Sequence, residues 1–218
     1  SLVSIGQRIA AVLDMPTLSE VVRGNIQLLM KIDSFGIGVI DKEAGDLVFK
    51  NYFEKDHELF TKITRKIEVS NDLITWAITH QQSVYINDIQ RDASEFVSGF
   101  KVGIGNISPQ ALIYIPLIIQ KEVLGVLVLQ STQKDVYVKQ HLNLLQSLAS
   151  YISIAIYNTQ TFKGLQNANK IIKRKNDNIL DSIRYAKTIQ QAILPAQEDM
   201  DRLFPKHFVI YDPKDVVS

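Results

Sequence analysis

Residues 111–129 read ALIYIPLIIQKEVLGVLVL, two apolar runs separated by the polar residues Gln120, Lys121 and Glu122. Each run has the length of a β-strand, and neither reaches the roughly 20 residues that a membrane-spanning helix needs. A near-continuous apolar run is typical of a strand that is buried on both faces. The stretch therefore predicts a central antiparallel hairpin, with Pro116 at an edge or a bulge because proline cannot donate a ladder hydrogen bond.

Helices and further strands are predicted upstream of this hairpin. The apolar spacing indicates one helix near residues 5–13 and a second that opens with the capping box Thr17-Leu18-Ser19-Glu20. The elements expected next are a β-hairpin over 35–53, a short strand at 66–69, a helix capped by Ser70-Asn71-Asp72, a strand at 83–86 and a long loop with a short helix over 87–110. The predicted fold class is α+β, with helices packed on a central antiparallel sheet of about six strands.

One long helix is expected after the sheet. Between residues 136 and 194 the chain holds no proline and a single glycine, Gly164, so one helix or two helices joined near Gly164 fit the pattern. Written in heptads, the segment places a coiled-coil seam at Leu148, Tyr151, Ala155, Phe162, Leu165, Asn169, Ile172, Asn176, Ile179, Ile183 and Ala186. Isolated asparagines in such a seam favour a fixed register, so we predict a parallel homodimer. The alternative is a solvated linker helix whose first half packs on its own domain.

The composition excludes several kinds of site. The 24 basic and 23 acidic residues nearly cancel, so we expect neither nucleic acid nor a membrane as a partner of this segment. No cysteine is present, which excludes a disulfide framework, a thiolate metal site and a cofactor attached through a thioether. The first residues lack the basic flank and apolar core of a secretory signal, and we expect a cytoplasmic location.

The order of helices and strands resembles that of a GAF domain over residues 1–160. The residues that carry the resemblance are Tyr85–Ile89, Leu112–Leu117 followed by Val123–Leu129, and Leu144–Ala149 leading to Ile154–Asn158. The resemblance implies a sensory module that binds a small molecule, in some members a cyclic nucleotide or a tetrapyrrole, or binds nothing, and that often dimerises through its terminal helices. The absence of cysteine excludes a covalently bound bilin, and the dispersed Asn-Lys-Phe-Asp-Glu signature of the cyclic-nucleotide members is not found.

A second resemblance covers the last part of the chain. Residues 181–195, 203–205 and 208–218 look like the beginning of a bacterial SpoIIE-type serine phosphatase domain of the metal-dependent PPM class. The two resemblances together imply three parts: a GAF-like domain at 1–160, a linker and coiled-coil helix at 161–195, and the truncated start of a phosphatase domain at 196–218. The Gly-Asp metal motif that follows in the phosphatase family is not reached by Ser218, so we assign no catalytic residue and no metal ligand. Mn or Mg is expected only in the remainder of such a domain.

The GAF resemblance implies a ligand pocket over one face of the sheet. Aromatic residues and a polar loop next to buried strands make six residues candidates for this pocket: Trp76, Asn87, Phe96, Phe100, Ser108 and Tyr114. In the alternative interpretation Trp76 and Tyr114 belong to the core, Phe96 and Phe100 only pin the loop, and Asn87 forms an Asx turn at the end of a strand.

The predicted function is a regulatory sensory module. It binds a small molecule or a partner and transmits the signal through a dimeric helix to a C-terminal serine/threonine phosphatase. A ligand-free dimerisation scaffold is the alternative. An enzyme in this segment would need converging titratable groups, whereas the four histidines are scattered singly along the chain. We therefore expect neither catalysis nor a cofactor in this segment.

Overall fold

The structure is a computed structural model that describes residues 2–55, 57–59, 63–67, 72–96, 104–193, 197–204, 206, 208 and 210. The chain divides into two compact units, residues 1–162 and residues 163–218. The helices are α1 (Leu2–Ala10), α2 (Met15–Gln27), α3 (Leu73–His80), α4 (Ile89–Asp92), α5 (Lys139–Ile193) and α6 (Gln197–Leu203), with a 3₁₀ turn at Ala93–Glu95. The strands are β1 (Ser34–Asp41), β2 (Asp46–Glu54), β3 (His57–Leu59), β4 (Ile63–Lys66), β5 (Val84–Ile86), β6 (Ala111–Ile119) and β7 (Glu122–Ser131).

The first unit is built on one antiparallel sheet. Its strands lie in the order β3-β2-β1-β7-β6-β5, and β4 also pairs with β2, which brings the number of strands to seven. The predicted α+β fold class with a central antiparallel sheet and a long C-terminal helix is confirmed. The additional strand arises because β3 and β4 pair with different halves of the long strand β2.

The central hairpin of β6 and β7 agrees with its prediction from the sequence. Residues 111–117 of β6 are all buried, as expected for a strand covered on both faces. β5 pairs only with residues 112–114 of β6, so Pro116 lies beyond the end of β5, and no strand among the described residues pairs with that side of β6 there. A register shift against β7 follows at Leu117/Ile118. Proline is tolerated at this position because no ladder hydrogen bond to β5 is required of it.

The two faces of the sheet carry separate core clusters. Neighbouring residues of β6 point to opposite faces, so Ile113 belongs to the first core cluster and Tyr114 to the second. The first core cluster contains the inward-facing residues of α1, α2 and α5, namely Ile9, Leu18, Val22, Ile26, Leu145, Leu148, Ile152 and Ile156. The second contains Leu73, Ile74, Ala77 and Ile78 of α3 together with Ile104. Removing these side chains from water, at about 25 cal/mol per Å² of apolar surface, holds the helices on the sheet.

The start of α2 differs from its prediction. The helix begins at Met15, and its N-cap is Asp14, whose carboxylate accepts a 2.9 Å hydrogen bond from the Thr17 N–H. The capping box predicted to open at Thr17 is therefore wrong. Pro16 lies in the first turn of the helix, where its missing N–H breaks no intrahelical bond.

Three further elements can be compared with their predictions. The strand expected at 66–69 begins earlier in the structure, as β4 at Ile63–Lys66, because these residues pair with Asp46–Phe49 of β2. Residues 68 and 69 of the prediction lie outside the described residues. The cap of α3 is Asp72, as predicted, and its carboxylate accepts hydrogen bonds from two N–H groups of the first turn. α5 forms as one helix through Gly164 rather than as two.

The second unit consists of residues 163–193 of α5, followed by α6. Nearly all of its described side chains are exposed, and only Ile183, Lys187 and Met200 are half-buried. None of the helices in the described part of the chain combines the length and the apolar character needed to cross a membrane. Leu194–Ala196 and most of the residues after Phe204, including the stretch 211–218 that carries part of the phosphatase resemblance, lie outside the described residues.

Candidate ligand site and dimer seam

A buried polar network lies in the sheet on the side of the second core cluster. The Ser34 hydroxyl is 2.9 Å from the Tyr52 hydroxyl and donates a 3.0 Å hydrogen bond to Gln130 Oε1. Gln130 Nε2 in turn donates to Tyr114 Oη at 2.6 Å. All four side chains are at most 3% exposed. Since buried polar groups without partners are costly, this network fixes the positions of four strands, β1, β2, β6 and β7, relative to one another.

The two tyrosines of this network stay protonated over the physiological range. Burial raises the pKa of the Tyr52 hydroxyl well above its ordinary value, although the hydrogen bond with Ser34 acts in the opposite direction. Burial likewise raises the pKa of Tyr114, against the effect of its bond with Gln130. Both hydroxyls are therefore neutral groups that can donate a hydrogen bond.

Two hydrogen bonds connect residues 104–106 to β2. Tyr52 Oη donates to the carbonyl oxygen of Ile104 at 2.8 Å, and the Asn106 N–H donates to Glu54 Oε1 at 2.6 Å. Gly105, between them, has φ +86°, and an added Cβ would overlap the Glu54 carboxylate. The close approach of this segment to the sheet therefore requires glycine at position 105.

An aromatic cluster lies against the second core cluster. The ring of Trp76 meets that of Phe96 edge to face at 4.9 Å and stacks on His80 at 4.3 Å. Trp76 and Phe96 are half-buried, whereas Tyr114 is fully buried within the same cluster. The structure thus brings three of the six predicted pocket residues to the second core cluster, which also contains Ile104.

The other pocket candidates lie elsewhere. Asn87 clamps the connection between β7 and α5: its Nδ2 donates to the Tyr137 carbonyl at 2.6 Å, and its Oδ1 accepts from the Tyr137 N–H at 3.1 Å. Ser108 is exposed, and Phe100 lies outside the described residues.

Sequence reasoning missed the polar members of the site. Tyr52, Glu54 and Gln130 were not predicted to take part in it. One signal was present, because Gln130 is a polar residue directly after the apolar run that ends at Leu129. Its partners Ser34 and Tyr52 lie in other strands, far away in the sequence, so the pattern of β7 alone could not identify them.

A second buried carboxylate supports α3. Asp72 is 3% exposed, caps α3, and forms a 2.8 Å ion pair with Arg65 of β4. Among the described residues, no group of three or more His, Asp or Glu side chains is placed to hold a metal ion. The groups assembled in the candidate site are hydroxyls, an amide, a carboxylate and aromatic rings.

Comparison with known families identifies the first unit. A family model described as the GAF domain matches residues 16–156, which is well over half of the chain. The chain belongs to the GAF domain family. No curated protein sequence matches it significantly.

Solved structures show the same fold at low sequence identity. The GAF domain from a phosphoenolpyruvate-protein phosphotransferase of Coxiella burnetii has a TM-score of 0.61 and 17% identity, covering 75% of this chain and 94% of that one. A methyl-accepting chemotaxis protein, residues 122 to 287, has a TM-score of 0.56 and 16% identity, covering 73% and 98%. The free methionine-R-sulfoxide reductase from Neisseria meningitidis, in complex with its substrate, has a TM-score of 0.56 and 15% identity, covering 73% and 88%. These likenesses establish the fold of the GAF domain.

The predicted dimer seam divides at the end of the GAF domain. Leu148 and Ala155 are 1% and 0% exposed in the first core cluster, so they have no surface left for a partner. The ring of Tyr151 packs on Gly6 of α1, where an added Cβ would overlap it. The later seam residues are exposed or half-buried: Phe162, Leu165, Asn169, Ile172, Asn176, Ile179, Ile183 and Ala186. The apolar seam that a partner could cover therefore begins at Phe162.

Proposed function

We propose that the GAF domain is a regulatory module that binds a small molecule beside the second core cluster. The observation that supports this proposal is the pair of hydrogen bonds that hold residues 104–106 on β2. They connect a surface segment directly to buried polar groups, Tyr52 and Glu54. A ligand with a hydrogen-bond donor or acceptor can replace either bond and thereby change where this segment lies.

The surroundings suit a compact, partly apolar ligand. Trp76 and Phe96 offer half-buried ring surface, while Tyr52, Tyr114 and Gln130 offer polar groups that would orient a ligand. Small-molecule sites typically combine apolar walls with a few convergent polar groups. A movement of the Tyr52 or Gln130 side chain would also alter the hydrogen bonds of Ser34 in β1, because the network joins β1 to β2 and β7.

We further propose that two GAF domains associate through a parallel pair of α5 helices. Asn169 and Asn176 occupy seam positions where buried asparagines pair only in one register. In that register each residue that directly precedes an a position of the heptad lies beside the seam. It faces the residue of the partner helix whose number is five higher. The resulting pairs are Ala168 with Lys173, Lys175 with Leu180, and Ser182 with Lys187. No lysine faces another lysine, so the parallel register avoids like-charge contacts.

The single tryptophan, Trp76, permits a direct test of the ligand site. We would add the small-molecule filtrate of a cell lysate to the purified protein and record Trp76 emission and the melting temperature. We expect an emission change and a higher melting temperature in the wild type, and a weaker response in Tyr52→Phe, which keeps the ring but loses the bond to Ile104. An equal response of Tyr52→Phe and wild type would place the ligand elsewhere.

A ligand-free dimerisation scaffold is the second candidate function. The observation that favours it is the complete burial of Tyr52 and Tyr114, because these two rings already fill space next to the sheet. In that case the filtrate would change neither the emission nor the melting temperature, while the protein would still form a dimer.

For the output, we propose a serine/threonine phosphatase of the SpoIIE type. The support is the sequence resemblance of residues 181–218, of which residues 181–193 lie in α5. The test is to read the coding sequence beyond Ser218 and to assay the longer product on phosphoserine peptides with Mn or Mg. A downstream Gly-Asp motif and metal-dependent release of phosphate are expected, whereas a different downstream domain would overturn this part of the proposal.

A further inference from the structure

The heptad pattern of residues 163–193 contains one row that is apolar throughout. If Phe162 is given position a, row d holds Leu165, Ile172, Ile179, Ala186 and Ile193. Two other rows lie beside it on the helix. Row a holds Asn169, Asn176, Ile183 and Gln190, and row g holds Ala168, Lys175, Ser182 and Ile189. Row g is no more polar than row a, so the pattern provides two seams, a/d and d/g, which share row d.

Within the GAF domain, rows a and g differ in how deeply their residues are buried. The row a residues Leu148 and Ala155 are buried in the first core cluster. The row g residues Ile154 and Thr161 are exposed, and 39% of Ile154 faces solvent although it is a large apolar residue. Asn158 of row d is exposed as well. Tyr151 of row d packs on Gly6 of α1, and the exposed Asn158 side chain donates a 3.4 Å hydrogen bond to the Ala10 carbonyl. In this part of α5 a second copy can therefore contact row g and the end of row d at Asn158, but not row a.

We propose that α5 pairs with a second copy of the chain through two alternative seams, a/d and d/g. This inference rests on the dimer in the proposed function and extends it to the regulation of that dimer. Asn169 and Asn176 favour the a/d seam, while the exposed rows of the GAF domain favour d/g. Exchange between the seams is a rotation of each helix by about 50°, half of the 100° between successive residues.

The helix surface itself has a shape that accepts a second copy. Ile179, Ser182, Ile183 and Ala186 line a shallow groove, together with Asn178. Their spacing of i, i+3, i+4 and i+7 is that of the four residues that surround one inserted side chain in a coiled coil. The groove includes members of rows a, d and g, so it can receive a side chain in either seam. Lys175 fits the d/g seam because a lysine can bury its methylene groups and keep its ammonium in water.

Because the chain has no cysteine, single cysteines report the seams without background. We would introduce Ile179→Cys in row d, Ser182→Cys in row g, Ile183→Cys in row a and Asp181→Cys on the outer face. Initial rates of disulfide formation with copper phenanthroline would be read on non-reducing gels. We expect Ile179→Cys to link fastest, Ser182→Cys and Ile183→Cys within about threefold of each other, and Asp181→Cys about tenfold more slowly.

Substitutions one heptad earlier should shift the balance between the seams. We expect Lys175→Leu to raise the linking rate of Ser182→Cys and Asn176→Leu to lower it, each by about fivefold, with Ile179→Cys unchanged. If Ser182→Cys links as slowly as Asp181→Cys while Ile183→Cys links fast, a single a/d seam exists and the inference fails. If Ile179→Cys is also as slow as Asp181→Cys, the dimer of the proposed function fails as well.

Discussion

At the scale of single residues, Gln130 is the centre of the candidate site, because it joins Ser34 of β1 to Tyr114 of β6. We predict that Gln130→Leu lowers the free energy of unfolding by about 1–3 kcal/mol, since it removes the partner of the buried Tyr114 hydroxyl and one hydrogen bond of Ser34. Urea denaturation gives the value. The matched control is Gln140→Leu on the exposed side of α5, which should change stability by less than about 0.5 kcal/mol. Equal losses in the two variants would show that the network does not stabilise the sheet.

Gly105 tests how closely the segment 104–106 approaches β2. Both Gly105 and Gly45 have positive φ, but only at Gly105 would an added Cβ overlap a neighbour, the Glu54 carboxylate. Gly45→Ala should therefore cost only backbone strain, about 1 kcal/mol, and Gly105→Ala clearly more, about 2–4 kcal/mol. Thermal unfolding of the two variants measures the difference. The same melting temperature for both would mean that the segment is not held against Glu54.

Asp33 makes a pH-dependent contribution to stability. Its burial acts to raise its pKa, but hydrogen bonds from Thr132 and Ser131 outweigh this and hold the pKa below the ordinary value of 3.8. The ionised carboxylate therefore favours the folded state above that value, and this contribution is lost as the pH falls through the folded pKa. We predict that Asp33→Asn is less stable than the wild type at pH 7 and that the gap narrows below about pH 4.

Urea titrations at several pH values measure this gap. The control is Asp177→Asn, an exposed carboxylate of α5. A gap between Asp33→Asn and the wild type that stays constant from pH 7 to below pH 4 would contradict the role assigned to the Ser131 and Thr132 hydrogen bonds.

At the scale of elements, the start of α2 can be tested by two alanine substitutions. Asp14→Ala removes the side chain that accepts from the Thr17 N–H and should cost about 0.5–2 kcal/mol. Thr17→Ala leaves that N–H in place and should have a much smaller effect. Chemical denaturation of both variants shows whether Asp14 or Thr17 caps α2. A larger loss for Thr17→Ala would restore the capping box predicted from the sequence.

The sequence predicts elements well where one local pattern decides them. The apolar runs of β6 and β7 determine their own burial, and Asp72 caps α3 as its position before the apolar residues indicates. Predictions fail where two local patterns compete. Asp14 and Thr17 are both good caps three residues apart, and the choice depends on the packing of Met15 and Leu18 in the first core cluster.

The candidate site could be predicted only in part. Trp76, Phe96 and Tyr114 are visible as aromatics near apolar strands, and the structure places them in one region. The polar groups could not be found from the sequence, because Tyr52 and Gln130 meet only after β2 and β7 take their places on either side of β1. The same holds for the seam: a heptad pattern shows which residues share a face of a helix, but not which of them the GAF domain buries.

At the scale of the whole molecule, the chain combines a first unit, residues 1–162, that contains the GAF domain with a second unit whose described part is formed mainly by the end of α5 and by α6. The first has a two-sided core, whereas the second leaves its apolar row d exposed to water. Large exposed apolar surfaces often mark sites of interaction. The proposed account therefore joins a ligand site in the GAF domain to a dimer formed by α5.

Native mass spectrometry of the purified chain at micromolar concentration probes the dimer and the ligand site together, because one spectrum reports both the number of chains and any retained small molecule. We predict a dimer that carries a reproducible additional mass, with less of that mass in Tyr52→Phe than in the wild type. A dimer without additional mass would support the scaffold instead of the sensor. A bare monomer would contradict the account, since neither the seam nor the ligand site would then have an occupant.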